Sequence, residues 1–303
     1  MYINSTIANV LVGCCLSALL MEVLMTRAPE TANLITFLQA LFISLYGFIF
    51  TVKFGTVRPS IPVEQYSILV ILFFITSVAN NYVYTLHVPS TLHMIIRSAS
   101  SPASMLVSWY MLKRAPKLTK GFGSMLITVG VALAMYGGAT IEQTRGRFGY
   151  WCIGVAILLT TLVTGAFTGL QQELLYSKYG KHPNEMLFYT HAIPLPLFLS
   201  MSPQLYNTSL GLSWTTWSLI ACNIISQFYC THSVHQLATK ESSVTVTFIL
   251  TLRKFVSLLL SSIVFKNNMT VLHVIGTVFV VIGTYVYFDF FVRKQRAVSF
   301  RKQ

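Results

Sequence analysis

Two apolar stretches of this chain carry basic residues at a depth where a bilayer core holds no water. Arg97 lies inside the run 90–112, and the adjacent pair Arg253–Lys254 lies near the middle of the run 244–265. About 20 apolar residues at 1.5 Å rise cross the hydrocarbon core, so both runs are long enough to span it. A basic side chain there costs about 2.5–3.5 kcal/mol on insertion scales and is retained for pairing or for function. One carboxylate, Glu22, is comparably placed, in the first apolar run. A single Glu cannot neutralise three cations. The surplus of two positive charges suits an anion carrying a diphosphate; the competing reading is a set of internal ion pairs that lock the bundle.

Other polar residues share these runs. His93 and Arg97 are four apart and so lie on one face. Small residues follow, Ser98 to Ser104, with a kink expected at Pro102. Adjacent Arg253 and Lys254 point about 100° apart, so one can face a cavity while the other turns to a neighbour such as Glu22. Asn80, Asn81 and Tyr82 either bind a base or sugar or make interhelical hydrogen bonds. Tyr189 and His191 precede Pro194 and Pro196. That pattern suggests a broken helix whose free backbone groups line a cavity, the alternative being a simple proline kink. Gln171, Gln172, Asn223 and Gln227 read as helix glue, and His232 and His235 as satisfied interior histidines. Glu173 and Asp289 lie near helix ends and face water. The sequence has no phosphate-binding glycine loop, nucleophile elbow or zinc motif, so no catalytic residue, metal or cofactor is expected.

The elements that must position these residues follow from composition. Of 303 residues 54% are hydrophobic and 10% charged, with mean hydropathy +0.65. Soluble domains carry about 25% charged residues, so this is an integral membrane protein. Hydropathy predicts ten helices: 5–26, 32–52, 65–87, 90–112, 121–139, 150–176, 186–202, 215–238, 244–265 and 271–292. A β-barrel would alternate over about ten residues and is excluded. The joining segments leave no room for a soluble catalytic domain. A net charge of +13 could indicate nucleic-acid binding, but its distribution argues for topology. Fourteen of the 21 Lys and Arg fall on the side of both termini and four on the other. The positive-inside rule therefore puts both termini in the cytosol, with no nucleic-acid partner. The sequons at Asn207 and Asn268 then face the lumen or exterior, and that at Asn4 faces the cytosol. The first apolar run lacks a basic leader and a cleavage site and reads as a retained helix. Cys14, Cys15, Cys152, Cys222 and Cys230 all fall in predicted helices and read as small packing residues rather than a disulfide framework.

Two halves are visible. Gly123 and Gly130 in helix five match Gly276 and Gly283 in helix ten, and each pair follows a cation-bearing helix that ends in Lys113 or Lys266. Five helices per half is odd, so halves 1–139 and 140–303 form an inverted repeat, the second with a short basic cytosolic tail. Such a repeat places a substrate site at its interface. The two glycine helices pack within the chain or, as a homodimer, against a second copy.

Several stretches carry a resemblance: Asn80-Asn81-Tyr82, Leu92 to Ser98, Gly180-Lys181-His182, Leu187-Phe188-Tyr189, His191-Ala192, Pro194-Leu195-Pro196, Thr245-Val246-Thr247 and Thr251 to Ser257. Together with Gly13-Cys14-Cys15 and Glu22 they resemble the nucleotide-sugar transporters of the drug/metabolite transporter superfamily, over nearly the whole chain. Within that family the likeness is strongest to carriers of UDP-xylose and UDP-N-acetylglucosamine. The helix-nine motif around Arg253–Lys254 is highly specific; the glycine pattern is not.

The resemblance implies a Golgi or endoplasmic reticulum antiporter that brings a UDP-sugar into the lumen and returns UMP. It also implies ten helices in two inverted halves with cytosolic termini. By position, Lys254 matches a lysine that contacts phosphate in relatives, and Tyr189 belongs to a Phe-Tyr-Asn motif that reads the nucleotide end. This chain has Thr190 in place of the motif's Asn. Thr donates and accepts one hydrogen bond but cannot make the two-point amide contact with a base. The expected substrate-binding set is Arg97, Arg253, Lys254, Tyr189, His191, Asn80, Asn81 and His93, with Glu22 in charge pairing or gating. Exchange of a GDP-sugar or adenine nucleotide is the nearest rival. A membrane-embedded glycosyltransferase fits less well, because the loops offer only scattered Glu30, Glu64, Glu142, Glu185 and Glu241 for a metal. The tail ends Phe300-Arg301-Lys302-Gln303, which is not a dilysine retrieval signal and favours the Golgi membrane over the endoplasmic reticulum.

Overall fold

The computed structural model describes residues 2–83, 95–113, 115–137, 148–198, 202–264 and 271–288, and all regular structure among them is helical. Helical structure overlaps each of the ten predicted intervals. The order is α1 (Tyr2–Arg27), a 3₁₀ turn (Pro29–Thr31), α2 (Ala32–Phe50), α3 (Val63–Tyr82), α4 (Ser100–Leu112), α5 (Leu118–Gly137) and α6 (Phe148–Tyr179). Then come α7 (Pro183–Ala192), α8 (Leu195–Phe198), α9 (Ser202–Leu210), α10 (Trp214–Ala238), α11 (Ser243–Val264) and α12 (Val271–Tyr287). Among the described residues three segments are long and apolar enough to cross a bilayer, Ser5–Arg27, Ala32–Phe50 and Cys152–Tyr179. Val63–Thr76, Leu118–Ala134 and Val271–Tyr287 are shorter apolar helices. α10, with 25 residues, has the length but carries Asn, Gln, Ser, Thr and His, and its Asn223 and Ser226 are buried. Its polarity is turned inward. The short helix α9 was not predicted from hydropathy.

The chain forms two compact units. The first comprises Met1–Phe74 and Gln171–Ser242, the second Ile75–Leu170 and Ser243–Gln303. Both are therefore built from interleaved stretches of chain.

In the first unit α1 and α10 run antiparallel along a seam of small and polar residues. A Cβ on Gly13 would lie 3.4 Å from the Cys230 backbone nitrogen, so the helices touch there. At that level Cys14 and Cys230 are joined by a disulfide with Cα atoms 4.5 Å apart. This corrects the reading of all five cysteines as separate packing residues: the glycine brings two of them within bridging range, and their distance in sequence hides it. Of the others, Cys15 is buried while Cys152 and Cys222 are exposed. One turn on, Ser17 Oγ donates to Gln227 Oε1 (2.6 Å), and Asn223 Nδ2 donates to the Ser17 carbonyl (3.0 Å). Gln39 Nε2 of α2 donates to Asn223 Oδ1 (2.7 Å), and Asn223 and Gln227 are thus the helix glue they were expected to be. Leu24, Ile35 and Ile220 close the seam.

Turn chemistry sets the remaining boundaries of this unit. Gly180, at φ +98°, ends α6, and Pro183 opens α7 at a position that needs no amide donor. α7 stops at Ala192, a turn occupies Ile193 and Pro194, and the helix resumes at Leu195. The expected break before Pro194 and Pro196 is present.

In the second unit α5 and α12 pack through the predicted glycines. A Cβ on Gly123 would lie 2.7 Å from the Gly283 carbonyl, and one on Gly130 would lie 2.7 Å from the Gly276 carbonyl. Only glycine permits so close a backbone approach. The glycine helices thus meet each other within one chain. Near the end of α12, Tyr287 stacks on Phe248 of α11 at 3.6 Å. Elsewhere in the unit, α3 and α6 meet through Thr76 and Thr164, whose hydroxyls are 3.0 Å apart, and through buried Val83 and Leu158.

Candidate functional site

In the second unit the cation helices α4 and α11 lie side by side. Residues 95–98 are helical, the helix is interrupted at Ala99, and α4 follows from Ser100. The sequence placed a kink at Pro102, whereas the interruption falls three residues earlier. Proline removes the bond to the carbonyl four residues back and crowds it, so the distortion appears in the preceding turn. There the Ala99 amide bonds to the Ile96 carbonyl (3.0 Å) and Ser98 Oγ donates to the Ile95 carbonyl (2.6 Å). The Arg97 carbonyl then accepts from Lys254 Nζ at 3.1 Å. A cation at the carbonyl end of a helical turn is favourably placed. An ammonium has three donors, so this bond leaves two for a ligand.

Hydroxyl groups fix that geometry. Thr251 Oγ1 donates to the Thr247 carbonyl (2.9 Å), so in its 3.2 Å contact with Ser100 the Ser is the donor. Ser101 and Ser124 pair at 2.8 Å in the buried contact between α4 and α5. Thr251, Ser101 and Ser124 are all nearly or wholly buried. Arg97 is exposed and Arg253 and Lys254 are half-buried. The structure therefore brings Lys254 to Arg97 and leaves the Arg97 head group accessible.

In the first unit α7 carries the other predicted residues. Tyr189 stacks on Tyr66 of α3, with ring centroids 4.7 Å apart and planes 20° apart, and meets Phe188 edge-on at 4.9 Å. Phe188 packs where α2 has Gly47; a Cβ there would lie 2.7 Å from the Phe188 ring. Thr190 Oγ1 donates to the Met186 carbonyl at 2.7 Å. Its one proton is thus used inside its own helix, and toward a ligand the side chain can only accept. His191 Nδ1 lies 2.9 Å from the Leu187 carbonyl, which fixes the proton on Nδ1 and leaves Nε2 as an acceptor. Gln172 Nε2 donates to His235 Nδ1 at 3.0 Å, consistent with a satisfied interior histidine.

Glu22 sits half-buried on α1, in the first unit. Asn80 and Asn81 lie in the last turn of α3. His93 falls outside the described residues.

A model of the UAA transporter family matches residues 3–290. The chain belongs to the UAA transporter family. This UAA-family chain is 38% identical over 301 residues to the UDP-xylose and UDP-N-acetylglucosamine transporter of Danio rerio, covering 92% of this chain and 91% of that protein. It is 37% identical over 309 residues to the endoplasmic reticulum GDP-fucose transporter of Drosophila melanogaster, covering 92% and 88%. A solved crystal structure superposes with TM-score 0.71 at 10% identity, covering 97% of this chain and 98% of that one, a likeness of fold alone. The UAA family is one of membrane transporters, as the apolar helices require.

Sequence reasoning missed two residues of the UAA-family chain, Tyr66, which stacks on Tyr189, and Glu185, which bonds Tyr66. Glu185, read as a scattered loop carboxylate, accepts from the Ile61 amide and the Tyr66 hydroxyl, both at 3.0 Å. Tyr66 itself drew no attention among apolar neighbours. One signal was available: Glu185 lies one helical turn before Tyr189, on the same face.

Proposed function

We propose that this chain is an antiporter that carries UDP-N-acetylglucosamine, UDP-xylose or both from the cytosol into the Golgi or endoplasmic reticulum lumen in exchange for UMP. The observation that carries the reading is Lys254 held on the Arg97 carbonyl at an interruption of the membrane helix, beside the exposed Arg97 side chain. Arg97, Arg253 and Lys254 make charge-assisted hydrogen bonds to the diphosphate. Tyr189 takes the base. His191, through Nε2, together with Asn80, Asn81 and His93, completes the polar lining, and Glu22 balances a cation when the site is empty. Occupancy neutralises the excess charge and lowers the barrier to alternating access. An empty carrier would have to move a site with excess positive charge, so exchange is obligatory.

The transport cycle in this proposal runs on ten spans in two inverted halves, 1–139 and 140–303, with both termini cytosolic. Supporting it, 153 residues separate Gly123 from Gly276 and Gly130 from Gly283, and that same shift interchanges the two glycine contacts of α5 with α12. A two-fold axis in the membrane plane relates elements in this way.

A second reading, exchange of a GDP-sugar, is favoured by one observation. The Drosophila relative is a GDP-fucose transporter, and Thr190 has no free donor with which to discriminate between bases. The test is uptake of labelled UDP-N-acetylglucosamine, UDP-xylose and GDP-fucose into proteoliposomes preloaded with UMP or GMP. The main reading expects uptake of a UDP-sugar that depends on internal UMP. Uptake confined to GDP-fucose with internal GMP establishes the second reading, and transport independent of internal nucleotide overturns the exchange mechanism.

A further inference from the structure

Glu185 is a half-buried carboxylate bonded to two members of a cluster of buried side chains. Ile61, Tyr66 and Met186 are each 0% exposed, and they form one cluster with Leu69, Leu175 and Tyr176. Glu185 Oε1 accepts from two donors there, the Ile61 amide and the Tyr66 hydroxyl, each at 3.0 Å. The Tyr66 ring lies nearly parallel to that of Tyr189 at 4.7 Å. From Tyr189 the chain returns to Glu185 within one turn of α7, so carboxylate, buried ring and half-buried ring form a closed circuit. Phe at position 66 would fill the same space and stack equally well. The hydroxyl adds a fixed rotation of the Tyr66 ring, and stacking passes that rotation to Tyr189.

We propose that Glu185 and Tyr66 are positioning residues that hold the Tyr189 ring in the plane that receives the nucleobase, a role that rests on the reading of Tyr189 as the base contact. A loosely held aromatic ring loses freedom when a base stacks on it, whereas one already oriented from behind does not. Glu185 sets the plane, Tyr66 transmits it and Tyr189 presents it.

The test is ligand-induced thermal stabilisation of the purified full chain by two probes, uridine and inorganic pyrophosphate. Tyr66→Phe keeps the ring and its burial and removes only the hydroxyl. It is expected to weaken uridine binding about tenfold, the equivalent of one directional hydrogen bond, and to leave pyrophosphate binding at the wild-type level. Glu185→Ala is expected to do at least as much. Glu185→Gln, which keeps an acceptor oxygen, recovers part of the loss. Should Glu185→Ala fail to fold, Tyr66→Phe decides alone. Equal losses for uridine and pyrophosphate would mean a merely structural brace and overturn the proposal, as would wild-type uridine affinity in Tyr66→Phe. Tyr189→Leu separates the premise from the inference. If it binds uridine normally, the base-contact reading itself is wrong; if it loses uridine while Tyr66→Phe does not, only the positioning role is.

Discussion

Gly276→Ala probes the contact between α5 and α12. The added methyl would lie 2.5 Å from the Gly130 carbonyl oxygen and 3.0 Å from both the nitrogen and the Cβ of Ala134. Two of these three atoms are backbone, so no side-chain rotation relieves the collision and the helices must part. Overpacking of this kind costs about 1–3 kcal/mol, with rigid backbone opposing it placing the cost toward the upper end. The gain in helix propensity from Gly to Ala offsets about 1 kcal/mol, leaving a net loss of about 1–2 kcal/mol. Gly165→Ala in α6 is the matched control, because a Cβ there meets nothing within 4 Å. Only the propensity term operates, and stability rises by up to about 1 kcal/mol. At about 2–4 °C per kcal/mol for a chain of this order of size, the two variants melt roughly 2–12 °C apart in detergent, on opposite sides of wild type. Gly130→Ala combined with Gly276→Ala crowds one contact twice, so the pair costs less than the sum of the single changes. If Gly276→Ala melts with Gly165→Ala, the helices do not meet at their glycines and the reasoning fails.

Three further outcomes are expected. Lys254→Ala abolishes exchange in proteoliposomes while the protein still folds and inserts, and Lys254→Arg also impairs it, because a guanidinium fork does not reproduce a compact ammonium; normal uptake by the Ala variant would move Lys254 to a purely capping role. Asn223→Ala removes a wholly buried side chain and leaves half-buried Gln39 Nε2 and the Ser17 carbonyl without that partner, a loss of about 1–3 kcal/mol in thermal stability, and an unchanged melting temperature would show the network to be dispensable. Asn207, exposed on α9, acquires a glycan that peptide-N-glycosidase removes, whereas Asn4 does not, and modification at Asn4 would invert the topology.

The helices were legible in the sequence because twenty consecutive apolar residues leave the backbone few alternatives. The glycine pairing of α5 with α12 was legible for a similar reason, since equal spacing in two helices is a pattern in one dimension. Contacts between distant residues were not. Nothing near Cys14 points to Cys230, and Glu185 was one of five scattered loop acids until α3 was set beside α7. The deep cations stood out by their cost, but the bond from Lys254 to the Arg97 carbonyl depends on where α4 breaks. Sequence assigned that break to the proline itself, although the strain appears one turn earlier. Thr190 was read correctly as unable to imitate an amide, yet its use of the Met186 carbonyl could only be seen in three dimensions.

The bond between Cys14 and Cys230 has a topological consequence. It joins residues 216 apart in sequence, so most of the polypeptide is a covalent ring, with a short N-terminal tail and a longer C-terminal one that carries α11 and α12. Cutting any loop inside that ring opens it without dividing it. A protease acting between α2 and α3, or between α6 and α7, would leave one band on a non-reducing gel and two after reduction. The separation that reveals each cut on the reduced gel would also trace, loop by loop, which parts of the ring face the enzyme.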